Sequence, residues 1–367
     1  MRPFSSTWRY FDLWLASAVI ILTGYGILMI RSAITNSPAF VGFEIDQLRF
    51  AILGIIVMLV LASIDYRILT SVHWLIYATI IGLLVAVLIG GALGNDVRRW
   101  IQIGGFRFQP SELGRILFAV TFAQFLSERL PRMNQFSNTI KALIYVGIPV
   151  AFIFRQPDLG MSILFLVIWF AMFVIAGLPF SHLIALGVAG LASIAAVLPF
   201  LADYQRDRIT LFFDRSNESP EAFNILQSQI AVGSGGWFGK GYFQGTQSQL
   251  GFLRVQHTDF IFSMITEEMG LIFGSLVVLG LMGIILWRIL RAAQLTADPA
   301  GKFICVGIAA NLFFQTTVNV GMNVQVVPVT GLTLPFVSYG GSSLVTLFIG
   351  IGFVQSVIMR HRKQEFG

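Results

Sequence analysis

Charge is scarce in this sequence. Asp, Glu, Lys and Arg make up 11% of its 367 residues, where a soluble domain carries about 25%. With 56% hydrophobic residues, the chain has too little polar surface to cover a globule. A purely water-soluble fold is therefore excluded, and lipid must form part of the solvent. Cysteine is nearly absent: Cys305 is the single one and sits in an apolar run, which rules out an intrachain disulfide framework and a dithiol motif. Histidine is also sparse, and His257 has no second His or Cys at ligand spacing, so no dedicated metal cage is expected. Lys and Arg number 24 against 18 Asp and Glu. In a membrane chain such a surplus marks cytoplasmic loops and anionic headgroups rather than nucleic acid.

What the sequence has in quantity is apolar runs. A bilayer-crossing helix needs roughly 20 residues. Candidate runs are about 12–31, 48–64, 73–94, 111–127, 140–155, 159–177, 180–201, 262–288, 302–322 and 338–359. They predict an all-α polytopic membrane protein of about ten transmembrane helices, a single domain over 1–367 with one large extracytoplasmic loop, about 202–261, between helices 7 and 8. The first run is too long for a signal peptide and lacks a small-residue cleavage site. Basic residues set the orientation. One side collects Arg2, Arg9, Arg67, Arg129, Arg132, Lys141, Arg288, Arg291, Lys302, Arg360, Arg362 and Lys363; short loops on the other hold Arg31, Arg49, Arg98, Arg99, Arg107 and Arg155. Both termini are thus expected in the cytoplasm.

Positive charge on the outer side gathers before the fourth run and in the long loop, where Arg206, Arg208, Arg215, Lys240 and Arg254 lie. A basic cluster set against the topological bias suits an anionic ligand. The loop also contains AFNILQSQIAV, which reads as a short amphipathic helix. Its glycine-rich part fails as a P-loop: Ser234 stands where the first glycine is needed, and Gly241 where Ser or Thr is needed.

Four further segments carry polar chemistry. In RRWIQIGGFRFQPSELGR, 98–115, Ser111 is expected to cap the fourth helix, with Glu112 in its first turn. Glu112 and Arg115 share a face. They read either as a structural ion pair or as a polar site opening outward. In QPDLG, 156–160, Asp158 reads as a helix cap that also shapes a cavity. The segment 319–343 holds two prolines and four glycines between the last two runs. Irregular backbone at membrane depth survives only inside protein or beside a wet cavity. HTDFIFSMITEEMG, 257–270, places Asp259, Glu267 and Glu268 at the mouth of an apolar run.

These motifs resemble those of the SEDS family (shape, elongation, division and sporulation), most of all its elongation branch, the RodA proteins. The resemblance spans essentially the whole chain and rests on RRW at 98–100, FQPSEL at 108–113, QPDLG at 156–160, QSQIAVGSGG at 227–236, GKG at 239–241, GTQSQL at 245–250, HTDFIF at 257–262 and PFVSYGG at 335–341. It implies an inverting glycosyltransferase that polymerises lipid II, a disaccharide-peptide on undecaprenyl pyrophosphate, into peptidoglycan strands during cell elongation. It implies residence in the bacterial cytoplasmic (inner) membrane and a class B penicillin-binding protein as partner. Asp259 matches the family's essential aspartate, Trp100 a sensitive position, and Glu112 with Arg115 the polar pair of the fourth helix. Two positions depart from the pattern. Arg115 stands where Lys is frequent, which keeps charge and changes geometry. FLRVQHTD replaces FLPEQHTD, so Arg254 and Val255 remove a carboxylate.

The chemistry expected from this resemblance is attack by an acceptor hydroxyl on an anomeric carbon, with Asp259 as general base. Arg206, Arg208, Lys240 and Arg115 form the pool of cations for the leaving diphosphate. Trp100, Glu112, Asp158 and His257 complete the expected substrate-binding set. No cofactor is required, and a divalent cation at the diphosphate stays open. The competing readings are a lipid II flippase and a non-enzymatic scaffold. Glu267 and Glu268 read either as tuning Asp259 or as paired with a buried cation, and the structural role is the preferred one.

Overall fold

In hydrocarbon, backbone N–H and C=O groups find no water and must bond within their own segment, and the chain is helical accordingly. The computed structural model describes residues 5–35, 40–92, 99–103, 106–197, 203–213 and 220–360. Arg2, Arg98, Arg215, Arg362, Lys363 and the glycine pair at 104–105 lie outside them. The elements are α1 (Ser5–Trp8), α2 (Leu13–Ile34), α3 (Phe43–Ser63), α4 (Tyr66–Ser71), α5 (His73–Ala92), a hairpin of β1 (Ile101–Ile103) and β2 (Phe106–Phe108), α6 (Pro110–Arg129), α7 (Phe136–Arg155), α8 (Leu159–Ile175) and α9 (Phe180–Val197). There follow α10 (Asp203–Phe213), α11 (Pro220–Ser234), α12 (Thr246–Gln249), α13 (Ile261–Gly270), α14 (Val277–Leu295), α15 (Pro299–Asn323) and α16 (Gly341–Arg360).

Among the described residues, seven helical stretches are long and apolar enough to cross a membrane: α2, α3, α5, α7, α13 through α14, α15 and α16. α8 and α9 are apolar but shorter, and α6 carries Glu112, Arg115, Glu128 and Arg129. The main core cluster includes Leu22 of α2, Phe118 and Phe122 of α6, Phe165 of α8, Phe303 of α15 and Phe348 of α16, and a small second one joins Ala231, Leu253 and Phe260. Outward faces keep large apolar side chains exposed, among them Leu13, Trp14, Leu75 and Trp287. A chain whose solvent there is lipid has no reason to cover them.

One end of the bundle is stapled by charge. Arg288 Nη2 lies 2.5 Å from Asp12 Oδ2, and Gln355 bonds both the N–H and the C=O of Asp12 at 2.9 and 2.8 Å. Arg360, 5% exposed, donates to the Ala62 and Ser63 carbonyls at the end of α3. These are C-terminal carbonyls that the helix cannot satisfy itself.

Two expectations are corrected. α6 begins at Pro110, with Gln109 at the N-cap, and Ser111 makes no capping bond. Proline is pre-set for the first helical position, so Ser111 falls inside the helix. α15 runs to Asn323, so irregular backbone occupies 324–340 rather than starting at 319. The amphipathic run 222–232 lies within α11.

Candidate active site

The stretch His257–Asp259 is held by its backbone. Tyr339 N–H donates to the His257 carbonyl at 2.9 Å, and Ser338 Oγ to the Thr258 carbonyl at 2.7 Å. Asn319 and Asn323, one turn apart on α15, donate to the Asp259 carbonyl at 3.2 and 2.9 Å. Asn323 Oδ1 in turn accepts from the N–H and Oγ of Ser263 at 3.1 and 2.6 Å. One asparagine therefore joins the approach to α13 with its first turn. The arrangement fixes the main chain and leaves the Asp259 carboxylate to point elsewhere.

That carboxylate is half-buried and faces Gly331. A methyl group built on Gly331 would lie 3.9 Å from Asp259 Oδ2 and 3.7 Å from Arg208 Nη1. Arg208 reaches in from α10 and also donates to the Val329 carbonyl at 3.4 Å. Burial raises the Asp259 pKa above its ordinary value, and the Arg208 guanidinium and a bond with Thr258 pull against that rise. A half-buried carboxylate beside a cation is a common setting for proton chemistry. His257 packs against Phe40, Phe43 and Tyr339, with ring centroids 4.5, 5.8 and 5.9 Å away. Burial lowers its pKa, which favours the neutral imidazole. Among the described residues, no group of three or more His, Cys, Asp and Glu side chains is placed to hold a metal ion.

A second polar cluster lies across the 330–333 segment. A methyl group on Gly160 would be 3.1 Å from the Thr330 carbonyl oxygen, so this segment passes from Asp259 to the start of α8. There Asp158 Oδ1 caps the Met161 N–H at 3.1 Å, and Gln109 Nε2 donates to its Oδ2 at 3.3 Å. Arg99 binds the carbonyls of Gln156 and Pro157 and lies 3.9 Å from Asp158. Trp100, next to it, is 42% exposed. Glu112 and Arg115 pair at 2.5 Å. Arg115 is fully buried and donates to Ser343 Oγ at 3.3 Å, so its charge is matched inside the bundle.

Lys240 belongs to a third cluster. Its Nζ lies 2.9 Å from Glu267 Oε1 and 2.7 Å from Thr246 Oγ1. Glu267 also accepts from the N–H groups of Gln247 and Ser248 at 2.9 and 3.1 Å. Glu268 accepts from Ser32 Oγ at 2.7 Å and Gln249 Nε2 at 2.9 Å. The glycine-rich loop also clasps the same helix through its backbone. Lys240 and Gly241 N–H groups donate to the Glu267 and Glu268 carbonyls, while Leu271 and Ile272 N–H groups donate to Gly236 and Trp237. The clasp sits where α13 ends at Gly270 and one π-type turn, Leu271–Leu276, leads into α14. Gly239 and Gly270 take φ of +80° and +73°; a methyl on Gly239 would come within 2.2 Å of the Glu268 carbonyl oxygen. Glycine is what permits both the left-handed backbone and the approach. Beside the clasp lies a cavity of about 430 Å³ walled by Trp237, Phe262, Leu271, Leu279, Val320 and Val324.

The structure thus gathers Asp259, Arg208, Asp158, Glu112 and Arg115 around 330–333. Lys240 stands with Glu267. Arg206 is exposed and lies two positions from Arg208 on α10, a spacing that does not share a face. Asn319, Asn323 and Gly331 were missed in the sequence. A polar residue every fourth position in an apolar run was the available signal for the first two.

A bundle of apolar helices enclosing a carboxylate and cations defines a multi-pass membrane protein with a polar site at one end. The sequence model of the FtsW/RodA/SpoVE family, described as "Cell cycle protein", matches residues 12–364, and the chain belongs to that family. It is 36% identical over 352 residues to the peptidoglycan glycosyltransferase MrdB of Escherichia coli K12, covering 94% of this chain and 92% of that one. It is 35% identical over 361 residues to stage V sporulation protein E of Bacillus subtilis 168, covering 94% and 96%. Among solved structures, it resembles a chain from work described as "Structural coordination of polymerization and crosslinking by a peptidoglycan synthase complex", with TM-score 0.83, 29% identity and coverage of 96% and 99%. It also resembles Thermus thermophilus rod shape determining protein RodA, with TM-score 0.71, 27% identity and coverage of 96% and 98%.

Proposed function

We propose that the protein is a peptidoglycan glycosyltransferase that polymerises lipid II during cell elongation, with Asp259 as general base. Membership of the family and the activity named for the E. coli relative support the reaction. The observation that carries the residue assignment is the half-buried Asp259 carboxylate beside Arg208, on a main chain fixed by Asn319 and Asn323.

In the proposed step, the acceptor hydroxyl oxygen bonds to the anomeric carbon of the donor and its proton passes to Asp259. The bond from that carbon to the diphosphate breaks with inversion, and the electron pair leaves on the diphosphate. A positioned base contributes about 10²–10⁴-fold. Arg208 serves the developing charge most directly and Arg206 meets the ligand farther out; Trp100, Asp158 and His257 shape the walls, with Glu112 and Arg115 behind them. Lys240 acts through the clasp rather than on substrate. The apolar cavity beside α13 suits a hydrocarbon chain, as expected where a lipid-borne sugar must meet water.

The chain is further proposed to cross the cytoplasmic membrane about ten times as one domain with both ends in the cytoplasm, and to work beside a class B penicillin-binding protein. The peptidoglycan synthase complex among its structural neighbours supports such a partner. Incubating the purified protein with labelled lipid II and separating the products on a gel tests the reading: a ladder of glycan strands is expected. Translocation of lipid II without a ladder would make the protein a flippase instead.

A further inference from the structure

α15 carries a polar stripe through its apolar length. Asn311, Gln315, Asn319 and Asn323 follow at every fourth residue, and all are fully buried. From Asn311 to Asn323 the stripe covers about 18 Å at 1.5 Å per residue, more than half of a hydrocarbon core about 30 Å thick. Its outer end holds the Asp259 carbonyl. Its inner end is not satisfied by protein: Asn311 Oδ1, Gln315 Nε2 and Asn319 Oδ1 are buried with no hydrogen-bond partner among the described residues. Across from them, Ser111 Oγ and the Nε and Nη1 of Arg115 are in the same condition.

Two independent contacts put these atoms in one place. A methyl on Gly307 would lie 2.9 Å from Ala119 Cβ, so α15 meets α6 at that level. The outer end of α6 is its first residue and that of α15 its last, so the pair is antiparallel. One turn outward from the contact sets Asn311 opposite Arg115, and the next sets Gln315 opposite Ser111. From the outer side, Asn319 Nδ2 donates to the Leu332 carbonyl at 2.9 Å. The adjacent Thr333 Oγ1 contacts Ser343 Oγ at 3.3 Å, which receives the bond from Arg115.

A buried donor or acceptor left unpaired costs about 1–3 kcal/mol, and such groups in native proteins are satisfied by protein or by ordered water. The unsatisfied set here mixes donors with acceptors, and the Arg115 charge is already matched by Glu112. That excludes a net preference for an anion or a cation and fits a molecule that both donates and accepts. We infer that Ser111, Arg115, Asn311, Gln315 and Asn319 line an internal water-binding chamber between α6 and α15. Its water keeps the Glu112–Arg115 pair hydrated below the outer face and hydrogen-bonds Asn319, which positions Asp259. The inference does not depend on the reaction proposed above.

Hydroxyl-radical footprinting by water radiolysis, on the intact protein in detergent, tests it. Radicals formed on bound internal water label adjacent side chains that bulk solvent does not reach. Label is expected on Ile308, Leu312 and Ile116, each about as buried as Leu15 and Leu22, which should stay unlabelled. In the double variant Asn311→Leu, Gln315→Leu, the label on the three should drop to the Leu15 level. Absence of label in the wild type, or label unchanged in the double variant, overturns the chamber. If the variant does not fold, a wild-type density map that resolves ordered water decides. Water bonded to Arg115 Nε and Gln315 Nε2 upholds the inference, and direct closure of these side chains on one another refutes it. Glycan ladder formation is read separately and can fail or succeed without altering this result.

Discussion

Asp259 and the Glu267–Glu268 pair stand at opposite ends of one short helix, and their surroundings are opposite too. The glutamates are fully buried, and their oxygens accept from Lys240, Thr246, Gln247, Ser248, Ser32 and Gln249. Asp259 is half-buried, its carbonyl is heavily bonded, and its carboxylate faces a glycine and one guanidinium and has a bond with Thr258. Saturated carboxylates hold a structure together because every lone pair is already committed. A carboxylate with acceptor capacity to spare can take a proton. Residue type and burial alone would have ranked the glutamates first as functional; counting their partners reverses the order.

The most severe way to test this contrast is to neutralise Asp259. Asp259→Asn should lower the rate of strand formation from lipid II by about 10²–10⁴-fold with an unchanged melting temperature, and a near-normal rate would remove the distinction. The opposite signature is expected at Glu267. Glu267→Ala takes the carboxylate partner from Lys240 and the acceptor from the N–H groups of Gln247 and Ser248, at a cost of about 3–5 kcal/mol. Thermal unfolding of the purified variant reads it, and a stable protein that has merely lost activity would assign Glu267 to the chemistry. Gly239→Ala forces a side chain into φ +80° against the Glu268 carbonyl and should destabilise by about 1–3 kcal/mol, measured the same way.

The gentlest perturbation concerns pH. The base works deprotonated, so activity falls as pH drops through its pKa. Arg208 holds that pKa down against burial. Arg208→Ala should therefore move the acidic limb of the rate profile to higher pH, while Lys240→Ala leaves the limb in place. A limb that moves for Lys240 and not for Arg208 would exchange the roles of the two cations.

Much of this was readable from the residues. Apolar runs marked the helices because period and length are local properties. Asp259 could be singled out because it stands at the junction of a basic loop and an apolar run. The pairing of Glu112 with Arg115 followed from helical spacing. The Lys240–Glu267 pair was not legible, since it joins positions 27 apart through a fold that no local pattern encodes. The clasp was hidden for a different reason: its main-chain bonds leave only glycines as their trace. Ser111 was misplaced as a cap because serine's capping preference was weighed without the stronger claim of Pro110 to the first helical position.

The main-chain character of the clasp has a practical corollary for engineering the protein. Between 235 and 241, Trp237 and Phe238 should exchange freely, because the register is set by main-chain bonds and by the Lys240–Glu267 pair, not by these two side chains. Adding or deleting a single residue there would slide every donor past its acceptor at once. Tags, reporters or deletions placed in that stretch should therefore be far more damaging than any replacement at the exposed Trp237 or Phe238.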